Sequence, residues 1–198
     1  MPIRSADATI RPAEPDDAAD VARFVTMAGG GVYEFLLDGL VPGVAAAEML
    51  TPGIAGRSGS FSHRQCAVAV CGDRIVGAVH AYPTDWMRDA DRSFLPQDRL
   101  DHLAAFDRTQ DWGSYFLSAI AVHRDHRRAG HALRLLDWAY GRARTGGFSR
   151  MSLHVWADNL AARRLYEAQG FAELAHVPVP WHPRLPREGG CILMGRGV

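Results

Sequence analysis

The sequence lacks most features of secreted, membrane-spanning and nucleic-acid-binding proteins. Its 198 residues include only three cysteines, Cys66, Cys71 and Cys191. Their odd number and apolar surroundings give no support for a disulfide framework and predict reduced packing residues. No apolar run is long enough to cross a bilayer, and the first five residues lack a signal-peptide core. Basic and acidic residues balance at 22 each, so no net charge favours nucleic acid or an anionic membrane. We therefore expect a cytoplasmic protein without a nucleic-acid or membrane partner.

Metal ligands are also poorly arranged, although the chain has nine histidines. Three of them, His123, His126 and His131, lie close together in sequence. They pass from the end of a predicted strand through a turn into the start of a helix. No cysteine and no second carboxylate cluster accompanies them, so a coordination shell stays incomplete. The sequence predicts no metal site.

Length and composition predict one folded unit. A chain of 198 residues that is 47% hydrophobic and 22% charged suits a single domain, which buries roughly 70% of its unfolded surface. There is no internal repeat and no linker that would divide the chain. We expect residues 1–198 to form one domain, as a monomer or a homodimer.

A strand followed by a turn and a helix is the most informative motif. Residues 116–122 are a nearly continuous apolar run, as in a strand covered on both faces. Polar residues 123–126 end this strand. From Ala132 onward, apolar side chains recur every three or four residues until Gly146 and Gly147. This spacing predicts a helix of about four turns with a glycine stop.

The start of that helix is a candidate anion site. Its first four amides lack partners within the helix and carry about half a positive charge. Gly130 and Ala132 leave the backbone accessible, while Arg127 and Arg128 add positive charge. The alternative is an ordinary strand, turn and helix with a solvated basic turn.

The next segment repeats the pattern of strand, turn and helix. Residues 151–155 read as a second strand. Asn159 follows at a position where its side chain can cap a helix. That helix carries Ala162 and Tyr166 and stops at Gly170.

Together these motifs resemble the GNAT superfamily of acetyl-CoA-dependent N-acyltransferases. The resemblance rests on Ile120-Ala121-Val122, Arg127-x-x-Gly130-x-Ala132, Leu153-His154-Val155, Asn159-x-x-Ala162 and residues 165–171. A lone Arg-x-x-Gly-x-Ala would be weak evidence, but the ordered set across residues 115–171 is specific. The resemblance implies an α/β (α+β) fold with a mixed, mostly antiparallel sheet of about six to seven strands and helices on both faces.

The resemblance also implies acetyl-CoA as cosubstrate, bound by three groups of residues. Backbone amides of the turn would hold the pyrophosphate, which assigns Arg127, Arg128, Ala129, Gly130, His131 and Ala132. Main-chain groups of Ile120, Ala121 and Val122 would bind the pantetheine arm, and Asn159, Ala162 and Tyr166 would lie beside it. Many members have glycine where Arg128 stands, so this residue narrows the conformations open to the turn.

The implied reaction is acetyl transfer to a primary amine of a small molecule or peptide by direct attack. An aliphatic amine with a pKa near 10.4 is neutral in about one molecule in two thousand at pH 7, equivalent to about 4.6 kcal/mol. A base, a water relay or a desolvating pocket must supply this free energy of deprotonation. By resemblance, Tyr166 protonates the departing thiolate, and an amide near Val122 stabilises the thioester oxygen.

Tyr166, Glu34 and Ser118 are our predicted catalytic residues. Asp111 and His154 are further candidates for the base. Each has an ordinary alternative. The two carboxylates can equally be read as solvated surface charges, and Ser118 as a hydrogen-bonded hydroxyl of a strand. His154 can be a structural side chain and Tyr166 an aromatic residue of the core.

The remaining chain predicts further elements and three variable segments. Residues 8–12 read as a first strand followed by a helix from Pro15, and a hairpin spans residues 67–81. We expect a helix over 32–50 broken near residues 42–43, a glycine- and serine-rich loop over 51–63, and a helix over 97–106. The last strand is expected at 191–194.

Acceptor specificity is assigned to the variable segments at about 28–65, 82–113 and 174–190. Residues 85–111 hold more aspartates than arginines, which suits a cationic acceptor or a solvated helix face. A non-catalytic coenzyme-A-binding sensor or interaction module of the same fold is the alternative function. A dinucleotide oxidoreductase is disfavoured because residues 127–132 do not form Gly-x-Gly-x-x-Gly.

Overall fold

Seven strands form one sheet in the computed structural model, which describes residues 8–198. The strands are β1 (Thr9–Pro12), β2 (Cys66–Cys71), β3 (Arg74–Pro83), β4 (Tyr115–Val122), β5 (Arg150–Trp156), β6 (Ala172–Val177) and β7 (Cys191–Gly197). Their spatial order is β1-β2-β3-β4-β5-β7-β6. Only β4 and β5 pair in parallel, and the other neighbours are antiparallel. The predicted mixed, mostly antiparallel sheet is confirmed.

Seven α-helices accompany the sheet within residues 8–198. They are α1 (Ala18–Gly29), α2 (Val32–Leu37), α3 (Ala46–Ala55), α4 (Gln97–His102), α5 (Ala104–Arg108), α6 (His131–Thr145) and α7 (Leu160–Ala168). None of the helices in this part of the chain is long and apolar enough to cross a membrane.

Helices cover both faces of the sheet, as the alternation along β2 shows. Val68 packs in one buried cluster with α1, and Ala67 and Ala69 pack in another with α6. Successive side chains of a strand point to opposite faces, so α1 and α6 lie on opposite sides of the sheet. Both faces of β2 are therefore apolar, in agreement with its sequence, Cys-Ala-Val-Ala-Val-Cys.

The parallel strands β4 and β5 stay together at one end only. Tyr115 pairs with Met151 and Phe116 with Ser152, and no further pair follows. Beyond this point, residues 117–122 have no strand partner on the side that faces β5. The two strands therefore diverge and leave main-chain groups of β4 open on that side.

Buried hydroxyls hold the two strands together where they meet. The Oγ atoms of Ser114 and Ser152 are 2.7 Å apart, and Ser114 Oγ lies 2.8 Å from Thr84 Oγ1. Thr84 Oγ1 donates to the carbonyl of Ser114 at 2.8 Å. That donation uses the proton of Thr84, so Ser114 donates to Thr84 and Ser152 donates to Ser114.

Three local predictions need correction. Helix α3 runs to Ala55, through residues expected to form a loop, because Ile54 is fully buried beside α1 and this packing outweighs the cost of Pro52 within the helix. The helix expected over 97–106 is two helices separated at Leu103. The edge strand β6 was not expected at all, because most of its side chains are exposed and its apolar pattern is weak.

Candidate active site

The divergence of β4 and β5 opens a cavity of about 1200 Å³. Residues 117–122 of β4 form one wall, and residues 154–156 of β5 form the other. The turn before α6 lines one end together with α7, and the opposite end is lined by α2, residues 58–61 and α5. A single small-molecule site usually measures roughly 300–1,000 Å³, so this cavity has room for two substrates.

The end of the cavity that is a candidate for anion binding is built from the start of α6. The first hydrogen bond of this helix runs from Arg134 N to Gly130 O, so the amides of Ala132 and Leu133 precede the hydrogen-bond ladder of the helix. Gly130 has φ +81, and a Cβ added there would meet no heavy atom within 4 Å. The backbone is thus open to the cavity, as the sequence predicted for this turn.

Arg127 and Arg128 differ in what they do. Arg127 Nε donates to the carbonyl of Val122 at 3.1 Å, so it ties the turn to the end of β4 as well as adding charge. Arg128 is exposed and has φ 63, the only non-glycine residue within 8–198 in the left-handed region. Such backbone costs about 1–2 kcal/mol for a residue with a Cβ, and strain of this kind is found at binding sites.

Helix α7 presents its predicted residues to the same cavity. Asn159 Oδ1 accepts a hydrogen bond from Ala162 N at 3.3 Å, which confirms the predicted cap. Tyr166 is buried beside Phe171, and its hydroxyl makes no hydrogen bond within residues 8–198. Burial, with a smaller contribution from Tyr140, raises the pKa of Tyr166 above its usual value. The hydroxyl therefore stays protonated at neutral pH and can donate its proton.

Ser118 reaches the cavity because of a β-bulge. His80 pairs with Ala119 and Ala81 with Leu117, so Ser118 has no partner on β3. A bulge bends the strand and redirects the side chain of its extra residue. Ser118 Oγ lies 3.4 Å from the hydroxyl of Tyr33, whose pKa is raised by burial.

The end opposite the candidate anion site is aromatic. Tyr33, Phe61, Tyr82, Phe106 and Phe116 line it together with His154. The sequence did not single out the first five, because they come from five separate segments and no short motif joins them.

His154 is a neutral base in this aromatic environment. Its ring centroid lies 4.2 Å from that of Phe106. Burial lowers the pKa of His154 to about 4, so the ring carries no charge at pH 7. His154 Nε2 is 3.3 Å from Gln110 Oε1, while Nδ1 is buried without a hydrogen-bond partner in the described part of the chain.

The structure brings most predicted site residues together but leaves three outside. Residues lining the cavity are Ser118, Ile120, Ala121, Val122, Arg127, Arg128, Gly130, His131, Ala132, His154, Asn159, Ala162 and Tyr166. Ala129 and Glu34 do not line it, and nor does Asp111, which is bound by Arg150 through two hydrogen bonds of 2.9 and 3.1 Å. Sequence reasoning missed two carboxylates that line the cavity, Asp107, which pairs with Arg92 at 2.5 Å, and the exposed Asp91.

Comparison with known proteins gives the family. Residues 53–171 match the sequence model of the acetyltransferase (GNAT) family. The chain therefore belongs to the GNAT acetyltransferases, as the motifs indicated. A segment of 58 residues is 38% identical to an uncharacterized N-acetyltransferase, YycN, of Bacillus subtilis (strain 168). This match covers 29% of the chain, and the chain spans only 37% of that relative.

Solved structures confirm the fold. A crystal structure of an acetyltransferase superposes with a TM-score of 0.71 at 20% identity and covers 96% of this chain and 99% of its own. An N-acetyltransferase from Staphylococcus aureus Mu50 gives a TM-score of 0.69 at 17% identity, covering 96% and 100%. Family membership supports acetyl transfer in general and implies acetyl-CoA as cosubstrate.

Proposed function

We propose that this protein is an N-acetyltransferase that moves an acetyl group from acetyl-CoA to a primary amine of a small molecule or peptide by direct attack. The observation that carries the proposal is the continuity of the cavity. It joins the open start of α6 to the aromatic end and passes both the free edge of β4 and the hydroxyl of Tyr166.

The residues at the first end fit the cosubstrate. The amides at the start of α6 and the positive charge of Arg127 and Arg128 would bind the pyrophosphate. Main-chain groups of residues 120–122 would pair with the amide groups of the pantetheine arm, as an added strand pairs with a sheet edge. The free edge of β4 at the divergence meets this requirement.

Two groups of the chain act on the thioester in this proposal. An amide near Val122 stabilises negative charge that develops on the thioester oxygen, because a fixed donor in a water-poor site needs no reorganisation. Tyr166 donates its proton to the sulfur that departs. Cys191 also lines the cavity, but burial raises the pKa of its thiol to about 12. It is a poor nucleophile at neutral pH, in keeping with direct transfer.

The acceptor amine must lose a proton, and the carboxylates near the cavity are poorly suited to accept it. Glu34 does not line the cavity, and Asp107 is neutralised by Arg92. An apolar environment disfavours the ammonium form, so the aromatic end itself lowers the pKa of a bound amine. Ser118 Oγ and His154 Nδ1 then offer acceptor atoms for the proton or for a water that relays it.

Calorimetry and thiol release test the proposal in one preparation. The protein is titrated with acetyl-CoA, and free thiol is then followed across a panel of primary amines. We expect micromolar binding and amine-dependent release. The chain contains no lysine, so acetylation of its own lysine side chains cannot produce a background. Failure to bind acetyl-CoA contradicts the cofactor assignment, whereas binding without release from any amine supports a coenzyme-A sensor instead.

A further inference from the structure

We propose that the acceptor is a monoamine that carries an aromatic ring. It binds at the end of the cavity that we call the ring pocket, formed by Tyr33, Phe61, Tyr82, Phe106, Phe116 and His154. The inference rests on the proposed function, because it names the acceptor of the same reaction.

The rings of this pocket form an unbroken series of contacts. Centroids are 6.0 Å apart for Tyr33 and Phe61, 4.9 Å for Phe61 and His80, 5.0 Å for His80 and Tyr82, 5.8 Å for Tyr82 and Phe116, 6.0 Å for Phe116 and His154, and 4.2 Å for His154 and Phe106. His80 is buried behind the pocket, and the other six rings line the cavity. A ring bound among them gains edge and face contacts on several sides.

These rings come from different parts of the fold. Tyr33 lies on α2, Tyr82 on β3, Phe116 on β4 and Phe106 on α5. A single apolar helix face would be explained as ordinary core packing. Rings that converge from separate elements onto a cavity, next to the point where the acceptor must enter, are better explained by a ligand.

The charges around the ring pocket disfavour a polyamine. Asp107 is bonded to Arg92, and Asp91, the other carboxylate that lines the cavity within residues 8–198, is exposed at its rim. Earlier in the same segment, Asp85 pairs with Arg88 and does not line the cavity. Glu34 Oε2 is buried without a hydrogen-bond partner in the described residues, but Glu34 does not line the cavity either. A second ammonium group on the acceptor would thus be buried among rings with no buried, unpaired carboxylate in the cavity lining, which is unfavourable.

One polar atom in the ring pocket is suited to the amine. Gln110 Nε2 donates to the carbonyl of Phe106 at 2.9 Å, so Gln110 Oε1 is left to accept from His154 Nε2–H. This arrangement leaves a lone pair on His154 Nδ1, which is buried and makes no hydrogen bond of good geometry in the described residues, while the backbone of Thr109 lies near the ring. An N–H of the acceptor can satisfy that atom while the ring of the acceptor occupies the apolar surroundings.

A set of acceptors tests the inference directly. Amine-dependent thiol release gives kcat/KM for phenylethylamine, tryptamine, cyclohexylethylamine, spermidine and agmatine. We expect the two aromatic amines to exceed the polycations at least tenfold. Phenylethylamine should exceed its saturated analogue by about threefold to tenfold, which corresponds to the extra interaction of an aromatic pair.

A pair of phenylalanine variants adds a matched control. Phe61 is half-buried and contacts two rings of the series, whereas Phe148 is also half-buried and contacts the ring of Tyr115 but does not line the cavity. Phe61→Ala should raise KM for phenylethylamine about tenfold with less effect on cyclohexylethylamine. Phe148→Ala should leave the KM for phenylethylamine within about twofold of wild type. Circular dichroism and the affinity for acetyl-CoA report whether each variant is folded.

The outcomes separate this inference from the proposed function. Preference for spermidine or agmatine, or equal rates for the aromatic and saturated amines, overturns the aromatic acceptor while the transferase stands. Acetyl-CoA binding without release from any amine overturns both.

Discussion

Replacing Arg128 by glycine should make the protein more stable and should weaken its binding of acetyl-CoA. Arg128 is exposed, has φ 63 and makes no hydrogen bond or ion pair within residues 8–198. The folded state therefore carries backbone strain at this position with no contact of the side chain to offset it. Glycine adopts the same backbone without strain.

The magnitude follows from two opposing effects. Relief of the left-handed conformation contributes about 1–2 kcal/mol. The greater freedom of glycine in the unfolded chain costs about 0.4–1 kcal/mol. The net gain in the free energy of unfolding is about 0–1.6 kcal/mol, and the midpoint of about 0.8 kcal/mol raises Tm by about 2–3 °C for a chain of this size. Loss of one exposed charge should weaken acetyl-CoA binding by about twofold to fivefold at low salt and by less at high salt.

Thermal and urea unfolding measure the stability, and calorimetry at two salt concentrations measures the affinity. Arg124→Gly is the matched control, because Arg124 is also an exposed arginine of the same turn but has no positive φ. This control should be destabilised by about 0.4–1 kcal/mol. If Arg128→Gly is destabilised as much as Arg124→Gly, the strain attributed to Arg128 does not exist.

Three further variants test the site. Tyr166→Phe should lower kcat about 10²-fold or more with little change in acetyl-CoA affinity. Tyr140→Phe, which lies outside the cavity, should leave kcat unchanged. Equal kcat values for Tyr166→Phe and wild type would show that Tyr166 is not the proton donor. Gly130→Glu should weaken acetyl-CoA binding more than tenfold in calorimetry, whereas the same change at exposed Gly141 should not. His154 has a pKa of about 4 in the folded state, below the usual 6.5, so its contribution to stability is complete above pH 6.5 and is lost as pH falls toward 4. Between pH 7 and pH 5, the free energy of unfolding measured in urea should therefore fall by about 2 kcal/mol less for His154→Phe than for wild type. Equal decreases for the two proteins would contradict the low pKa of His154.

The half of the candidate site at the start of α6 was predictable because it is formed by residues close together in the sequence. The turn at 127–132 and the cap at Asn159 each depend on a few consecutive residues, and glycine, small residues and capping side chains have direct backbone consequences. The structure places these residues on one cavity, with Ala129 as the exception.

The aromatic half of the candidate site was not predictable because it depends on helix phase and strand register. Tyr33 lines the cavity, but Glu34, one residue later on the short helix α2, does not. Nothing in the sequence of α2 fixes which of these neighbours faces inward. The bulge that frees Ser118 arises from the pairing of β4 with β3, which is separated from it by a long insert. Such features need tertiary contacts to define them.

The hydrogen-bonded hydroxyls of Thr84, Ser114 and Ser152 fix the point from which β4 and β5 diverge. Residues 117–122 of β4 extend beyond this point by about 20 Å, at roughly 3.3 Å per residue. A rotation of about 5° there would displace the far end of the strand by about 1.7 Å. Misplacement of reacting groups by about 1 Å can cost 10²-fold in rate. Under the proposed function, three small side chains remote from the reaction would thus set how far apart the two substrates are held.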